Sequence, residues 1–105
     1  MYIAMNRFQI KHGEEETFEK IWRERETHLD QVPGFKAFNL LRGPTGDDHT
    51  LYASHTQWES QAAFDAWTRS EAFRKAHANA ASPKGIYLGP PRFEGFESVL
   101  SQEKG

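Results

Sequence analysis

The chain has 105 residues, which suits one hydrophobic core and leaves no room for a second independent one. Aromatic residues make up 13% of it, so a packed core is expected despite a charged fraction of 27%. Thirteen basic and fifteen acidic residues, interspersed, give a formal charge of -2, which argues against a nucleic-acid partner. Cysteine is absent, which excludes disulfides, thiolate metal sites, iron–sulfur clusters and a cysteine nucleophile.

The N-terminal sequence carries no sign of export. Residues 1–10 lack a basic start followed by a long apolar run, and no segment approaches the roughly 18 apolar residues of a membrane span. We therefore expect a cytoplasmic protein that does not contact membranes.

The first half of the chain predicts a strand, a helix and a second strand. Residues 2–10 alternate, with an apolar side formed by Tyr2, Ala4, Phe8 and Ile10. Residues 14–29 have helical spacing and end before Pro33 and Gly34, and residues 35–42 again read as a strand.

The second half predicts a hairpin, two helices and a last strand. Turn formers at 43–48 precede a strand at 51–58, Ser60 or the residue before it opens a helix, and Ser70 caps a short third helix over 72–80. Residues 83–91 form a Pro and Gly loop long enough to act as a flap over a site. A strand follows at 92–100.

This order predicts an α+β, ferredoxin-like subunit with an antiparallel sheet and helices on one face. We expect one domain at residues 1–100 and a polar tail at 101–105. Alternation places Phe38 and Leu40 opposite Phe35 and Leu41, so both faces of the sheet are apolar. A second copy is the simplest cover for the far face, and we predict a homodimer whose two sheets pack together.

Three residues stand out as candidates for chemistry, and each also has an ordinary structural explanation. Asn6 lies on the apolar side of the first strand, where a buried amide needs a partner. Trp67 points from a helix towards the sheet and is either core or the wall of a cavity left by the many nearby alanines. His77 lies on the apolar side of the third helix, as a core histidine or as a ligand.

Other sites have little support in the sequence. There is no H-x-E, H-E-x-x-H or similar metal-ligand spacing, and no Gly-rich phosphate loop follows a strand. His55, in the third predicted strand, either lines a site or faces the dimer partner.

The chain resembles the IsdG-type haem-degrading monooxygenases of the wider antibiotic-biosynthesis monooxygenase superfamily. The segments that carry the resemblance are A-M-N-R-F around Asn6, W-x-S-x-x-A-F-x-x-W ending at Trp67, and S-E-A-F-R-K-A-H ending at His77. The resemblance covers nearly the whole domain, from residue 1 to about residue 100. The resemblance implies a dimeric α+β barrel that opens haem with O2 and external electrons, releasing iron and a linear tetrapyrrole.

The resemblance also implies a role for each site residue. His77 would be the axial ligand of the haem iron, Trp67 would press the porphyrin out of plane, and Asn6 would donate its amide N–H to the ligand on iron. Phe64 and Phe73 would join these three in binding haem. The basic residues available for the haem propionates are Arg7, Arg25, Arg74, Lys75 and Lys84.

Haem would be both cofactor and substrate, and electrons would come from a separate reductase or a small reductant. Two alternatives stay open at this point. One is a cofactor-independent monooxygenase of polycyclic phenols or quinols, which would not need His77 as a ligand. The other is a non-enzymatic dimer that binds or stores haem.

Overall fold

The chain folds around one four-stranded sheet. The computed structural model describes residues 1–25, 28–71, 73–74 and 85–104. Its strands are antiparallel and lie in the order β2-β3-β1-β4, which confirms the predicted α+β, ferredoxin-like arrangement. The elements are β1 (Tyr2–Lys11), α1 (Glu15–Glu24), β2 (Phe35–Thr45), β3 (His49–Trp58), α2 (Gln61–Thr68) and β4 (Arg92–Glu97), with a turn of 3₁₀ helix at Leu29–Gln31.

Both helices cover the same face of the sheet. Every second residue of β1 points to that face and is buried beneath the helices. At the end of β1, Phe8 and Ile10 pack under α1 with Phe18, Tyr52 and Ile86. We call this group the α1 cluster. At the start of β1 lies the α2 cluster, formed by Tyr2, Ala4, Leu29 and Trp58, against which the α2 residues Ala63, Phe64 and Trp67 pack.

A β-bulge at the start of β2 overturns one sequence prediction. Phe35 pairs with Trp58 and Ala37 with Gln57, so Lys36 is an extra residue in β2. The bulge turns Phe35 to the helix side, where its ring meets the Trp58 ring edge-on at 5.6 Å between centroids. The expectation that Phe35 faces away from Phe38 is therefore wrong, while Leu41 does lie on the far face and is 42% exposed.

The first helix is shorter than predicted. It ends at Glu24, and Arg25 already has extended dihedral angles (φ -75, ψ 125). His28 follows with a left-handed φ of 53°, and the 3₁₀ turn then buries Leu29 in the α2 cluster. A helix continued to residue 29 would instead carry that side chain along the line of α1, away from this cluster.

The close approach of β2 to α2 requires a glycine. Gly34 has a φ of +84°, and a Cβ on it would lie 2.5 Å from the Ala63 Cβ. Its carbonyl accepts a hydrogen bond from the Glu59 N–H at 2.8 Å. As predicted, Ser60 begins α2, with its hydroxyl accepting from the Ala63 N–H at 3.1 Å.

The described part of the predicted flap is tied to the sheet. The Lys11 N–H donates to the Ile86 carbonyl at 2.8 Å, and the Leu88 N–H donates to the Gln9 carbonyl at 3.0 Å. Ile86 is buried and belongs to the α1 cluster. Residues 86–88 are therefore held against β1, none of residues 85–91 lines the cavity described below, and residues 83–84 lie outside the described ranges.

The remaining boundaries differ modestly from the predictions. β2 and β3 extend into the hairpin because Thr45 and Thr50 pair, and β4 ends at Glu97 rather than at residue 100. Most of the third helix predicted over 72–80 lies outside the described residues, although Ser70 does accept from the Phe73 N–H at 3.2 Å. Within the described ranges, no helix is long and apolar enough to cross a membrane.

Candidate functional site

A cavity of about 350 Å³ lies between the sheet and the helices, between the α1 cluster and the α2 cluster. This volume falls in the range of small-molecule sites. Its lining residues are Ala4, Asn6, Trp22, Arg25, Leu29, Phe38, Ser54, Thr56, Phe64, Trp67, Thr68, Phe73 and Phe93. Most of them are apolar or aromatic, so the cavity suits a flat apolar ligand.

Asn6 forms part of the cavity floor at the middle of β1. It pairs with Ser54 of β3 and Phe93 of β4, and alternation turns its side chain to the helix side. Within the described part of the chain, no hydrogen bond engages the Asn6 amide group. Since an amide in such a place needs a partner, Asn6 is suited to bind a polar group of a ligand in the cavity.

Aromatic rings on α2 and β4 form one wall. Trp67 meets Phe73 edge-on at 4.8 Å between centroids, and Phe64 lies 6.0 Å from Trp67. Phe93 stacks on Phe64 at 5.7 Å with only 10° between the ring planes, although it is 51% exposed. Offset and edge-on contacts of this kind fix the rings against one another.

The opposite wall is formed by α1 and β2. The Trp22 and Phe38 rings stack at 5.5 Å with 19° between their planes. The guanidinium carbon of Arg25 lies 4.1 Å from the centre of the Trp22 ring, a cation–π contact. The wall therefore combines apolar surface with one positive charge.

Arg25 is the cation at this site. Its Nε atom is buried and has no hydrogen-bond partner among the described residues, and burial lowers the pKa of its guanidinium from the ordinary value. Arginine nevertheless stays protonated in proteins. Because a buried donor is stabilised by an acceptor, Arg25 is suited to bind an anionic group of a ligand.

The cavity brings together four of the five residues named from the sequence. Asn6, Phe64, Trp67 and Phe73 all line it. His77 lies outside the described residues, as do Lys75 and Lys84. Across the described ranges, no three His, Asp or Glu side chains are grouped so that they could hold a metal ion.

The other polar candidates lie elsewhere. Alternation along β3 places Ser54 and Thr56 in the cavity and His55 on the far face of the sheet. Arg7 is also on the far face, where it forms an ion pair with Glu94. Arg74 is exposed and does not line the cavity.

Sequence reasoning missed several lining residues. Trp22 carried a signal, since it belongs to the apolar stripe of the first helix, but that stripe equally describes core. Phe93 gave none, because β4 has aromatic residues on both faces and is an edge strand. Only the pairing of Phe93 with Asn6 places it at the cavity.

Known proteins are similar to this chain in sequence and in fold. The profile of the antibiotic biosynthesis monooxygenase family matches residues 1–79. A haem oxygenase (mycobilin-producing) of Mycobacterium tuberculosis is 31% identical over 98 residues, which cover 93% of this chain and 89% of that relative.

Solved structures extend the likeness to the fold. The haem degrader MhuD of M. tuberculosis, with two haems bound in its active site, has a TM-score of 0.76 and 30% identity, covering 98% of this chain and 100% of that one. SnoaB, a cofactor-independent oxygenase from Streptomyces nogalater, has a TM-score of 0.69 over 98% of this chain and 97% of its own. At 22% identity SnoaB shows the fold alone.

Proposed function

Because the chain belongs to the antibiotic biosynthesis monooxygenase family, we propose that it is a haem-degrading monooxygenase whose substrate binds in the cavity between sheet and helices. The observation that carries the proposal is the meeting of Asn6, Trp67 and the half-buried cation Arg25 in one apolar cavity. Haem has a flat apolar body and carboxylate edges. The aromatic walls fit the first and the Arg25 guanidinium fits the second.

The chain's own side chains would have distinct tasks. Arg25 would donate to a propionate carboxylate and so fix the orientation of the ring in the cavity. Asn6 would donate its amide N–H to the ligand on iron, and Trp67 would press on the porphyrin plane. The aromatic rings around them would keep water away from the reacting face.

Bound haem would supply an iron that activates O2 for attack on the porphyrin, with electrons from an external reductant. His77 would ligate that iron, and it lies outside the described residues. The electron donor, a reductase or a small reductant, and the cytoplasmic location stay predictions from the sequence.

We also propose that the protein is a homodimer. Because Phe35 faces the helix side, other residues make the far face of the sheet apolar. Leu41 is 42% exposed, and Phe96, which pairs with Ile3 on that face, is 46% exposed. A second copy of the same face would bury these side chains. Light scattering should give twice the chain mass for the wild type and a smaller mass for Phe96→Glu.

Haemin titration followed by reductant in air tests the activity. We expect a saturable Soret band that collapses as iron becomes accessible to a chelator. His77→Ala should abolish the complex and turnover, and Asn6→Ala should bind haem but turn it over at least tenfold more slowly. His12→Ala, in an exposed turn, is the matched histidine control.

Each other outcome has a meaning. A Soret band that persists with competent reductants would overturn degradation in favour of haem binding or storage. If no specific complex forms, the haem proposal falls and phenol or quinol substrates become the better hypothesis.

A further inference from the structure

Trp67, which lines the cavity, packs against Trp58 of β3. Trp58 is fully buried (0% exposed) and does not line the cavity. Its ring lies 5.3 Å from the Trp67 ring, with 34° between their planes, and 5.7 Å from Phe64. Trp58 thus forms the surface behind the aromatic wall.

Trp58 is itself fixed in direction by a hydrogen bond. Its indole N–H donates to the Thr56 hydroxyl at 2.9 Å, and that hydroxyl donates to the Ala4 carbonyl at 3.3 Å. An indole N–H can only donate and a hydroxyl has one hydrogen, so each group has a defined role. The chain of bonds ties the Trp58 ring to the backbone of β1.

A third ring also packs against Trp58. Phe35, turned inward by the bulge, meets Trp58 edge-on at an interplanar angle of 75°. Trp58 therefore contacts Phe35, Phe64 and Trp67. A fully buried ring with three aromatic neighbours and a hydrogen bond at its edge has little freedom to rotate.

Trp67 needs such support. It lies in the last turn of α2, a helix of only eight residues, and its ring is half-buried at the cavity wall. A helix backbone does not by itself select one side-chain rotamer. The angle of the ring towards a ligand must therefore come from neighbours in contact with it.

We propose that Trp58, held by Thr56, is a positioning residue that sets the plane of Trp67 in the cavity before any ligand binds. The effect on turnover rests on the proposed function, in which a correctly angled Trp67 would act on the porphyrin plane. Its structural part concerns the ligand-free protein and is tested separately.

The first experiment uses ligand-free protein labelled with 5-fluorotryptophan. The three tryptophans give three ¹⁹F signals, assigned with single Trp→Phe variants. Thr56→Val, which keeps the side-chain shape but loses the acceptor, should shift or broaden the Trp67 and Trp58 signals and leave the Trp22 signal in place. Thr56→Ser, which keeps the hydroxyl, should restore the wild-type positions.

Ile10→Ala is the control for loosened packing. Ile10 is fully buried in the α1 cluster and does not line the cavity, so its loss destabilises the fold without touching Trp58. An unchanged Trp67 signal in Thr56→Val, or an equal change in Ile10→Ala, would overturn the proposal.

The second experiment uses Trp58→Phe with haemin. Because Trp58 does not contact the cavity, we expect the haem Kd to stay within about threefold of the wild-type value. Turnover should fall by about tenfold or more, because the reacting groups would no longer be held in the right geometry. Equal turnover in Trp58→Phe and wild type would refute the positioning role. If wild type itself does not degrade haem, the proposed function fails, while the ¹⁹F result still decides the positioning of Trp67.

Discussion

The two hydrophobic clusters of this protein are built on the same strand but are completed in different ways. No residue of the α1 cluster lines the cavity, and Phe18 and Ile10 are fully buried in it. The α2 cluster stops at the cavity, where Trp67 and Phe93 keep part of their ring surface uncovered. A closed cluster serves stability, whereas a cluster that ends in a cavity leaves apolar surface for a ligand to cover.

Polar groups follow the same division. Beside the α1 cluster, the Glu19 carboxylate accepts from the Tyr52 hydroxyl at 2.5 Å and is ion-paired with Arg42 and Arg23. At the cavity, the Asn6 amide and the Arg25 Nε lack such partners among the described residues. Satisfied polar groups hold a fold together, and unsatisfied ones in a cavity indicate a ligand.

Phe18→Ala should give the largest loss of stability. Removing this fully buried ring leaves a hole among Phe8, Trp22 and Tyr52, so we expect a loss of about 3–5 kcal/mol in the free energy of unfolding. Urea unfolding measures this loss. If the variant does not fold, Phe18→Leu should show a smaller loss. A loss of haem-binding free energy larger than the loss in the free energy of unfolding would contradict the view that the α1 cluster serves stability rather than binding.

Glu19→Gln should cost about 1–2 kcal/mol, because a charged acceptor of several hydrogen bonds is lost. The Tyr52 hydroxyl and then the Arg42 guanidinium hold the pKa of the Glu19 carboxyl below its ordinary value of 4.5. A carboxyl whose pKa is lower in the folded chain stabilises it above the unfolded pKa, and this stabilisation is lost as the pH falls through the folded pKa.

Unfolding measured from pH 6 down to pH 3 tests this charge effect. Wild type should lose more stability below about pH 4.5 than Glu19→Gln does. Glu16→Gln, an exposed acid in the first turn of the same helix, is the matched control and should follow wild type. Parallel curves for wild type and Glu19→Gln would show that this carboxylate does not contribute.

Arg25→Met should separate stability from binding. The change removes a buried N–H without a partner and keeps an apolar stem beside Trp22, so stability should rise by about 1 kcal/mol. Haem affinity should fall by about tenfold, equivalent to about 1.4 kcal/mol. Arg23→Met, on an exposed side chain in the last turn of α1, should leave haem affinity unchanged. Unaltered binding in Arg25→Met would remove Arg25 from the site.

Phe93→Ala should have the smallest effect on stability, below about 1 kcal/mol, because half of the ring is already exposed. Its haem affinity should nevertheless fall severalfold, since Phe93 and Phe64 form a stacked part of the wall. Phe96→Ala, on the opposite face of the same strand, is the control. Similar haem affinities for the two variants would place the ligand away from this wall.

The sequence by itself determined the features that repeat along the chain. Alternation in β1 assigned Asn6 to the helix side, and the side chains of Ser60 and Ser70 marked where helical turns begin. Phe64 and Trp67 were assigned to the sheet-facing side of α2 by helical spacing, and both line the cavity. Such local rules depend only on near neighbours, which a sequence lists in full.

Tertiary structure alone decided the features that depend on distant partners. The bulge at Lys36 turned Phe35 towards Trp58, the early end of α1 placed Leu29 in the α2 cluster with Trp58, and strand pairing brought Phe93 next to Asn6. The partners in these pairs lie between 23 and 87 positions apart. Register, helix ends and bulges are set by the packing of the whole sheet, because their small local energies are outweighed by the burial of large rings.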